Sequence, residues 1–481
     1  MVTHKTRVNK STMKYFICKD ESRFTKHECD QYGQWFWYAD DQVKCYQGDG
    51  YIVLYCGYLI EGDIVDACER LSFHEENGNF FAVKLTPQGE FELFVDYFNN
   101  HKIFVGRKYG TEISNYLPYM TCYEDDIVRE ELVYDPLQRE FSSAEAVTFF
   151  GHINNFLPPY DYISDCKKAL KEEKWAPEAL AEYIDECMSQ HAEKIKSLYS
   201  KRFISLSEGI DSALQSQYFK DDPQYGYHME PCDAGNDGLK WKQIQWDKFD
   251  NVHTYTYETP KAKEYMDKYF TDSTTRWGSI LPTMIQVAEA DPDIVMYGVN
   301  GDEMFFRDLA PHLSRMTIEI LSNPEITEIE DVIHELRKYV HTVEGQYGAD
   351  YSVGDDIGTW DFVDIYVDIW LRRMPKWRDR IFIENEMLRQ LTPKYYTRAI
   401  SVNNDVMCAS LFNDRRIYHE VFKCNNSFLK DAMDSPIQRM LLDRYDFKFE
   451  TPCKDALYAD YDSLFENIFA STVPHCLEQN I

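Results

Sequence analysis

The stretch from Lys201 to Phe219 constrains the fold of this chain more than any other. A short apolar run, Phe203 to Leu206, leads through Ser207-Glu208-Gly209 into an apolar-periodic segment from Asp211. An apolar run of that length, bounded by turn residues, reads as a buried strand, and the spacing after it reads as a helix. Strand, tight loop and helix in that order aim successive backbone N–H groups and a helix N-terminus at one point, which suits a phosphate or pyrophosphate. Ser207 and Ser212 add hydroxyls, and Asp211 stands where a carboxylate can hold a Mg²⁺ ion shared with phosphates. The plainer reading of the same residues is a helix capped by Asp211 after an ordinary strand.

A second stretch repeats the arrangement. Asp293-Ile-Val-Met-Tyr-Gly-Val-Asn-Gly-Asp-Glu-Met-Phe-Phe306 offers an apolar strand, a loop with Gly298 and Gly301, and Asp302-Glu303 opening another apolar segment. If both strands belong to one parallel sheet, the two acidic loops can meet at its carboxyl edge. Ser-x-Gly-x-Asp-Ser at 207–212, followed by Gly-x-x-Gly-Asp-Glu-x-Phe at 298–305, resembles the asparagine synthetase family.

That resemblance implies a reaction and a set of roles. A substrate carboxylate attacks the α-phosphorus of ATP, giving an acyl-adenylate and pyrophosphate, and an amine then displaces AMP to form an amide. Ser207, Gly209, Ser212 and Gly301 would line the nucleotide cradle, Asp211 and Asp302 would hold Mg²⁺, and Glu303 would serve the metal or the substrate. The family's late lysine lies in a Lys-x-Gly-Phe-x-x-Pro motif. Here Lys448-Phe449-Glu450-Thr451-Pro452 keeps the Phe-x-x-Pro part, and Lys454 follows on the other side. Lys448 and Lys454 are therefore both candidates to stabilise pyrophosphate, and both also read as ordinary solvated lysines.

The implied fold has two parts. Residues 1–170 would form an α+β sandwich like that of Ntn hydrolases. Residues 171–481 would form an α/β parallel-sheet PP-loop domain (adenine nucleotide alpha hydrolase-like) with a helical C-terminal part. Residue patterns along the chain agree in outline. Tyr51 to Ile60 reads as a buried strand and turn, Ile64 to Leu71 as a short helix after Asp63, and Phe80–Leu85 with Phe91–Tyr97 as a hairpin through 86–90. Ile103–Arg107 continues the strands, and Phe149 to Pro159 reads as a linker or turn in which His152 packs against aromatics. Pro177 takes the favoured first position of a helix whose apolar face carries Leu180, Ile184, Cys187, Met188, Ile195 and Leu198. Asp221 to Gly238 reads as a loop over the site, Asn251–Tyr257 as a strand and Ala262–Phe270 as a helix. Helical spacing recurs at 316–321, 329–343 and 360–377, the last with an aromatic stripe read as core.

Gly57, Gly78-Asn-Phe-Phe-Ala82 and Val95-Asp96 match pieces of the family's glutaminase half, where the nucleophile is a cysteine at the mature N-terminus with its own α-amine as base. This chain starts Met1-Val2-Thr3, its first cysteine is Cys18, and residues 1–17 carry no evident processing signal. The expectation is a scaffold without glutaminase activity, with free ammonia or another amine as nitrogen donor and a small-molecule or peptide carboxylate as substrate. Three departures favour a second reading, a degenerate homologue acting as a nucleotide-binding or protein-interaction module. Glu208 replaces a loop glycine, Val299 stands where a Glu or Tyr assists proton transfer, and Met407–Asp414 keeps only Phe412 and Asp414 of a helical Glu-x-Arg-x-Pro-Phe-x-Asp motif.

Charge narrows the partners. With 51 basic against 82 acidic residues the net charge is −31, which repels a phosphate backbone and makes nucleic acid a poor partner. The 13 cysteines include no C-x-x-C pair, so reduced thiols in a cytoplasmic compartment are expected. No apolar run is long enough for a bilayer and no secretory signal stands at the N-terminus, so no membrane partner is expected. A homodimer is compatible with all of this.

Overall fold

The computed structural model describes residues 13–101, 103–121, 123, 153–156, 174–206, 209–220, 225–230, 251–256, 287–288, 290–305, 328, 331, 400–401, 405–421, 423 and 435–447. Ten strands of the first part form two antiparallel sheets. One holds β1 (Tyr15–Cys18), β2 (Asp30–Tyr32), β3 (Trp35–Ala39), β8 (Phe104–Gly106), β9 (Glu112–Ser114) and β10 (Ile153–Asn155), in the order β10-β8-β9-β1-β3-β2. The other runs β4-β5-β6-β7, with β4 (Lys44–Gln47), β5 (Ile52–Leu59), β6 (Gly78–Leu85) and β7 (Phe91–Val95).

Alternation along β6 explains the layering. Phe81, Val83 and Leu85 join Tyr15, Ile17 and Trp35 of the first sheet in one buried cluster, where the Tyr15 and Phe81 rings stack 5.0 Å apart. Their neighbours Phe80 and Ala82 face the other way, onto Ala67 and Cys68 of helix α1 (Ile64–Arg70) and onto Phe73. A sheet covered on both faces needs the nearly continuous apolar run seen at 80–85. Asp63 caps α1 by accepting the Val65 N–H at 2.8 Å, as Asp before an apolar-periodic run predicts. Gly57 sits at φ 111 in mid-strand, where a Cβ would run into the Asn79 carbonyl, a place only glycine fills without strain.

Beyond the sandwich, helix α2 (Pro177–Leu198) begins with its proline in the first turn. Leu180, Ile184, Cys187, Met188 and Ile195 are buried as expected, each large aliphatic side chain contributing roughly 1.5–3 kcal/mol. Leu198 departs from that face. It is the last helical residue and 50% exposed, because the helix outlasts the surface it packs on.

Five parallel strands follow: β11 (Arg202–Leu206), β12 (Tyr225–Glu230), β13 (Asn251–Thr256), β14 (Ile294–Met296) and β15 (Met407–Ala409), in the order β13-β12-β11-β14-β15. Helix α3 (Ile210–Gln217) follows β11 and α4 (Gly301–Met304) follows β14. Helices α5 (Arg415–Val421) and α6 (Pro436–Asp443) complete the described elements.

Four readings of the sequence need correction. Residues 221–238 are not all loop, since β12 lies inside the sheet, paired with β11 and β13 over Tyr225–Glu230. Ladder bonds to two neighbours hold a segment whose own pattern is weak. Met407–Asp414 is not helical: its first three residues form β15, and a turn leads to α5. The segment at 149–159 includes a strand, β10, paired with β8. Finally, the N-cap of α3 is Gly209, which places Asp211 in the first turn instead of at the cap. The expected helices at 262–270, 316–321 and 360–377, most of 329–343, His152 and the boundary at 170 lie outside the described residues.

One buried histidine ties α2 to the sandwich and sets a pH response. His191 pairs through Nε2 with the Tyr58 hydroxyl at 2.8 Å, and burial first, with the nearby Arg416 charge adding, pushes its pKa down to about 4 against a partial opposing pull from Asp414. The folded state therefore keeps it neutral where the unfolded chain, with an ordinary value near 6.5, takes up a proton. Stability is full above that value and falls as pH drops toward 4, by about 1.4 kcal/mol per pH unit at most. Urea titrations between pH 7 and 4 should show this slope, and His191→Gln, which still pairs with Tyr58, should flatten it. An unchanged slope in the variant would assign the acid response to other groups.

Candidate functional site

The site is set by where two strands stop. β11 and β14 lie side by side and parallel, with Phe203 opposite Val295 and Ile204 opposite Met296, so their following loops leave the same carboxyl edge. Numbered by sequence within this sheet, the spatial order is 3-2-1-4-5, and the direction of winding reverses between β11 and β14. In open α/β sheets a crevice forms at that reversal, outside the carboxyl ends of the strands.

The second loop closes there on the first turn of α3. A Cβ on Gly298 would lie 3.0 Å from the Ser212 nitrogen and 3.1 Å from its Cα. A Cβ on Gly301 would lie 2.8 Å from the Asp211 Cβ and closer still to its carboxyl carbon. These glycines therefore let the second loop sit directly on the first turn of α3. The second loop is itself fixed: Asn300 adopts φ 70, its carbonyl accepts the Met304 N–H at 2.8 Å, and the Val299 carbonyl accepts the Ser410 hydroxyl at 2.7 Å.

Gly209, Asp211, Ser212, Gly298 and Gly301 are thus brought together. Ser212 Oγ donates to the Gly209 carbonyl at 3.0 Å, so the hydroxyl is engaged in holding the turn. Asp302 and Glu303 lie on the backbone of α4, at the same edge. Ser207, Glu208, Lys448 and Lys454 lie outside the described residues.

A residue with no sequence signal completes the wall. Gln438 of α6 is fully buried, and its Nε2 stands 3.5 Å from Asp211 Oδ1. A glutamine on an amphipathic helix reads as a surface residue, so only the fold reveals it. Gln438 Oε1 and Asn300 Oδ1 are buried acceptors with no hydrogen-bond partner among the described residues. A carboxylate beside bare amide oxygens fits a hydrated Mg²⁺ ion, which keeps several donor waters. Among the described residues no group of three or more His, Cys, Asp or Glu gathers as a metal site, so a metal would rest on Asp211, on Asp302 and on ligand oxygens.

The sandwich carries no reactive thiol at Cys18. That residue lies in β1 between β9 and β3, its Sγ donates to the Asp20 carbonyl at 3.2 Å, and burial pushes the thiol up to about 12. Cleavage before Cys18 would remove Tyr15, Phe16 and Ile17, which make most of an interior strand.

No protein-family model and no curated protein matches the chain. Among the described residues no helix is long and apolar enough to cross a membrane.

Proposed function

We propose that the chain is an ATP-dependent, AMP-forming amide ligase of the asparagine synthetase type, without glutaminase activity of its own. The observation that carries this reading is the junction of the two acidic loops at the carboxyl edge of one parallel sheet, with Gly301 seated on Asp211. Asp211 would bind the metal, with Asp302 as second ligand, while Gly209 and the first turn of α3 would present N–H groups to pyrophosphate. A bound Mg²⁺ ion supplies positive charge against the departing pyrophosphate. The chain's own part is to hold that charge and the carboxylate substrate in line and to keep water out.

In this reading the sandwich and the parallel-sheet part correspond to the Ntn-like and PP-loop halves, and the amine comes from solution as ammonia or a larger donor. The cysteines among the described residues are all free, which agrees with a reducing, cytoplasmic compartment. A non-catalytic module is the second reading. It draws on the close cover of Asp211, only 8% exposed beneath Gly301 and Gln438, and on Glu208.

Calorimetric titration with Mg-ATP separates the two. Micromolar binding that disappears in Asp211→Asn is the expected result. Glu208→Gly should tighten it, because a carboxylate about 5 Å from a phosphate costs about 3 kcal/mol at an effective dielectric near 20, or more than a hundredfold in affinity. Absence of binding in both the native chain and Glu208→Gly would overturn the ligase reading.

A further inference from the structure

The sandwich reaches the site through a buried line of amides. Asn300 Nδ2 donates to Asn413 Oδ1, Asn413 Nδ2 donates to Asn100 Oδ1 at 2.7 Å, and Asn100 Nδ2 donates to Asp96 Oδ1 at 2.8 Å. Asp96 also accepts the Phe98 and Asn100 backbone N–H groups, at 3.0 Å each. All four residues are out of water, with exposures of 4% for Asn300, 1% for Asn413, 3% for Asn100 and 0% for Asp96. A second bridge runs alongside: Asn79 pairs with His101 at 2.7 Å and donates to the Cys408 carbonyl of β15 at 2.8 Å.

The line has a direction that its chemistry fixes. An ionised carboxylate only accepts, so Asn100 must turn its NH₂ toward Asp96 and its oxygen toward Asn413. Asn413 must then present NH₂ to Asn100 and oxygen to Asn300, and Asn300 must donate. Every donor points toward Asp96, and such chains strengthen their members. Among the described residues the Asn300 oxygen has no partner, and the residue stands immediately before Gly301 in the left-handed conformation that asparagine accepts more readily than most side chains.

We propose that Asp96, Asn100 and Asn413 are positioning residues, which hold Asn300 and with it the loop between β14 and α4 in the geometry that seats Gly301 on Asp211. The sandwich would then serve the site as its anchor, a role that needs no nucleophile. The consequence for ligand binding rests on the nucleotide reading above; the positioning itself does not.

Hydrogen exchange on the nucleotide-free protein tests it. Asn413→Asp is nearly isosteric but puts an acceptor where the line needs a donor. Exchange of the amides at 299–305 should rise about tenfold or more, the scale of one lost buried hydrogen bond, while α2 exchanges as before. Adding Asp96→Asn lets the line run in reverse, toward the carboxylate introduced at 413, at the loss of the Phe98 N–H bond that shares Oδ1 with Asn100, and should bring the loop part of the way back on a logarithmic scale. Packing alone gives no such rescue. Should Asn413→Asp fail to unfold cooperatively, Asn100→Ser, which cuts the line with little change in volume, carries the same expectation at 299–305. Unchanged loop exchange in Asn413→Asp or Asn100→Ser, or a double variant no better than Asn413→Asp, would overturn the proposal. Mg-ATP titration of the same proteins keeps the two questions apart. A native chain that fails to bind but shows the exchange pattern loses the ligase reading and keeps the relay, and the converse result does the opposite.

Discussion

Gly301→Ala is expected to eliminate measurable Mg-ATP binding and to lower stability by about 1–3 kcal/mol, the usual cost of overpacking a filled site. The added methyl would fall 2.8 Å from the Asp211 Cβ and deeper still into the carboxyl group, a position no real Cβ occupies. Either the carboxylate swings away or the turn before α4 lifts off α3. A shift near 1 Å in a ligand-holding group is worth about a hundredfold in productive binding. Gly298→Ala makes a graded control, since its new contacts are with the Ser212 nitrogen and Cα at 3.0 and 3.1 Å and ask for a smaller adjustment. Chemical denaturation and calorimetry on both variants should give the order native, Gly298→Ala, Gly301→Ala. The stability arm holds whatever the ligand is, and a Gly301→Ala protein as stable as the native chain would mean that the loops do not meet as described.

Local rules make much of this arrangement readable before any coordinates. Asp63 before α1, Pro177 opening α2 and the two-faced apolar run at 80–85 each carry a single-residue or short-period signal, and each element forms where that signal lies. The glycine-bearing turn between β14 and α4 is legible for the same reason. What is not legible is non-local. β12 contains Gly226, His228 and Glu230, and its place in the sheet comes from the ladders on either side. Gln438 and Asn413 matter because α6 and the turn before α5 carry them to Asp211 and Asn300, over separations that no motif spans. Asp414 is a further non-local case. It survives from a family motif that the chain otherwise lacks, and the fold shows it fully buried, bonded to Asn77 of the first part and to Arg416 of α5.

Asp414→Ala should therefore be the most destabilising single change at that junction, costing about 3–5 kcal/mol as removal of one partner from a buried ion pair does. The carboxylate accepts from Arg416 Nη2 at 2.6 Å, from Asn77 Nδ2 at 2.7 Å and from the Arg416 N–H at 2.9 Å in the first turn of α5. Burial by itself would lower the Arg416 pKa, but the hydrogen bonds and charge of Asp414 overrule it and keep the guanidinium firmly protonated. The arginine spreads its other donors over Gln190 at 2.6 Å, Glu61 at 3.0 Å and the Cys187 carbonyl at 3.3 Å, joining α2 and the sandwich to α5. Without the carboxylate, that cation keeps only Glu61 as an anion among the described residues, and Glu61 is 69% exposed and well screened. The Arg416 side chain is itself 18% exposed, so water reaches the orphaned charge and the lower half of the range is expected. Asp414→Ala combined with Arg416→Met removes the orphaned charge and should recover part of the loss in urea denaturation, giving a coupling energy above 1 kcal/mol. A loss below about 1 kcal/mol for Asp414→Ala alone would show that solvent reaches the pair and that the junction is held by its apolar contacts instead.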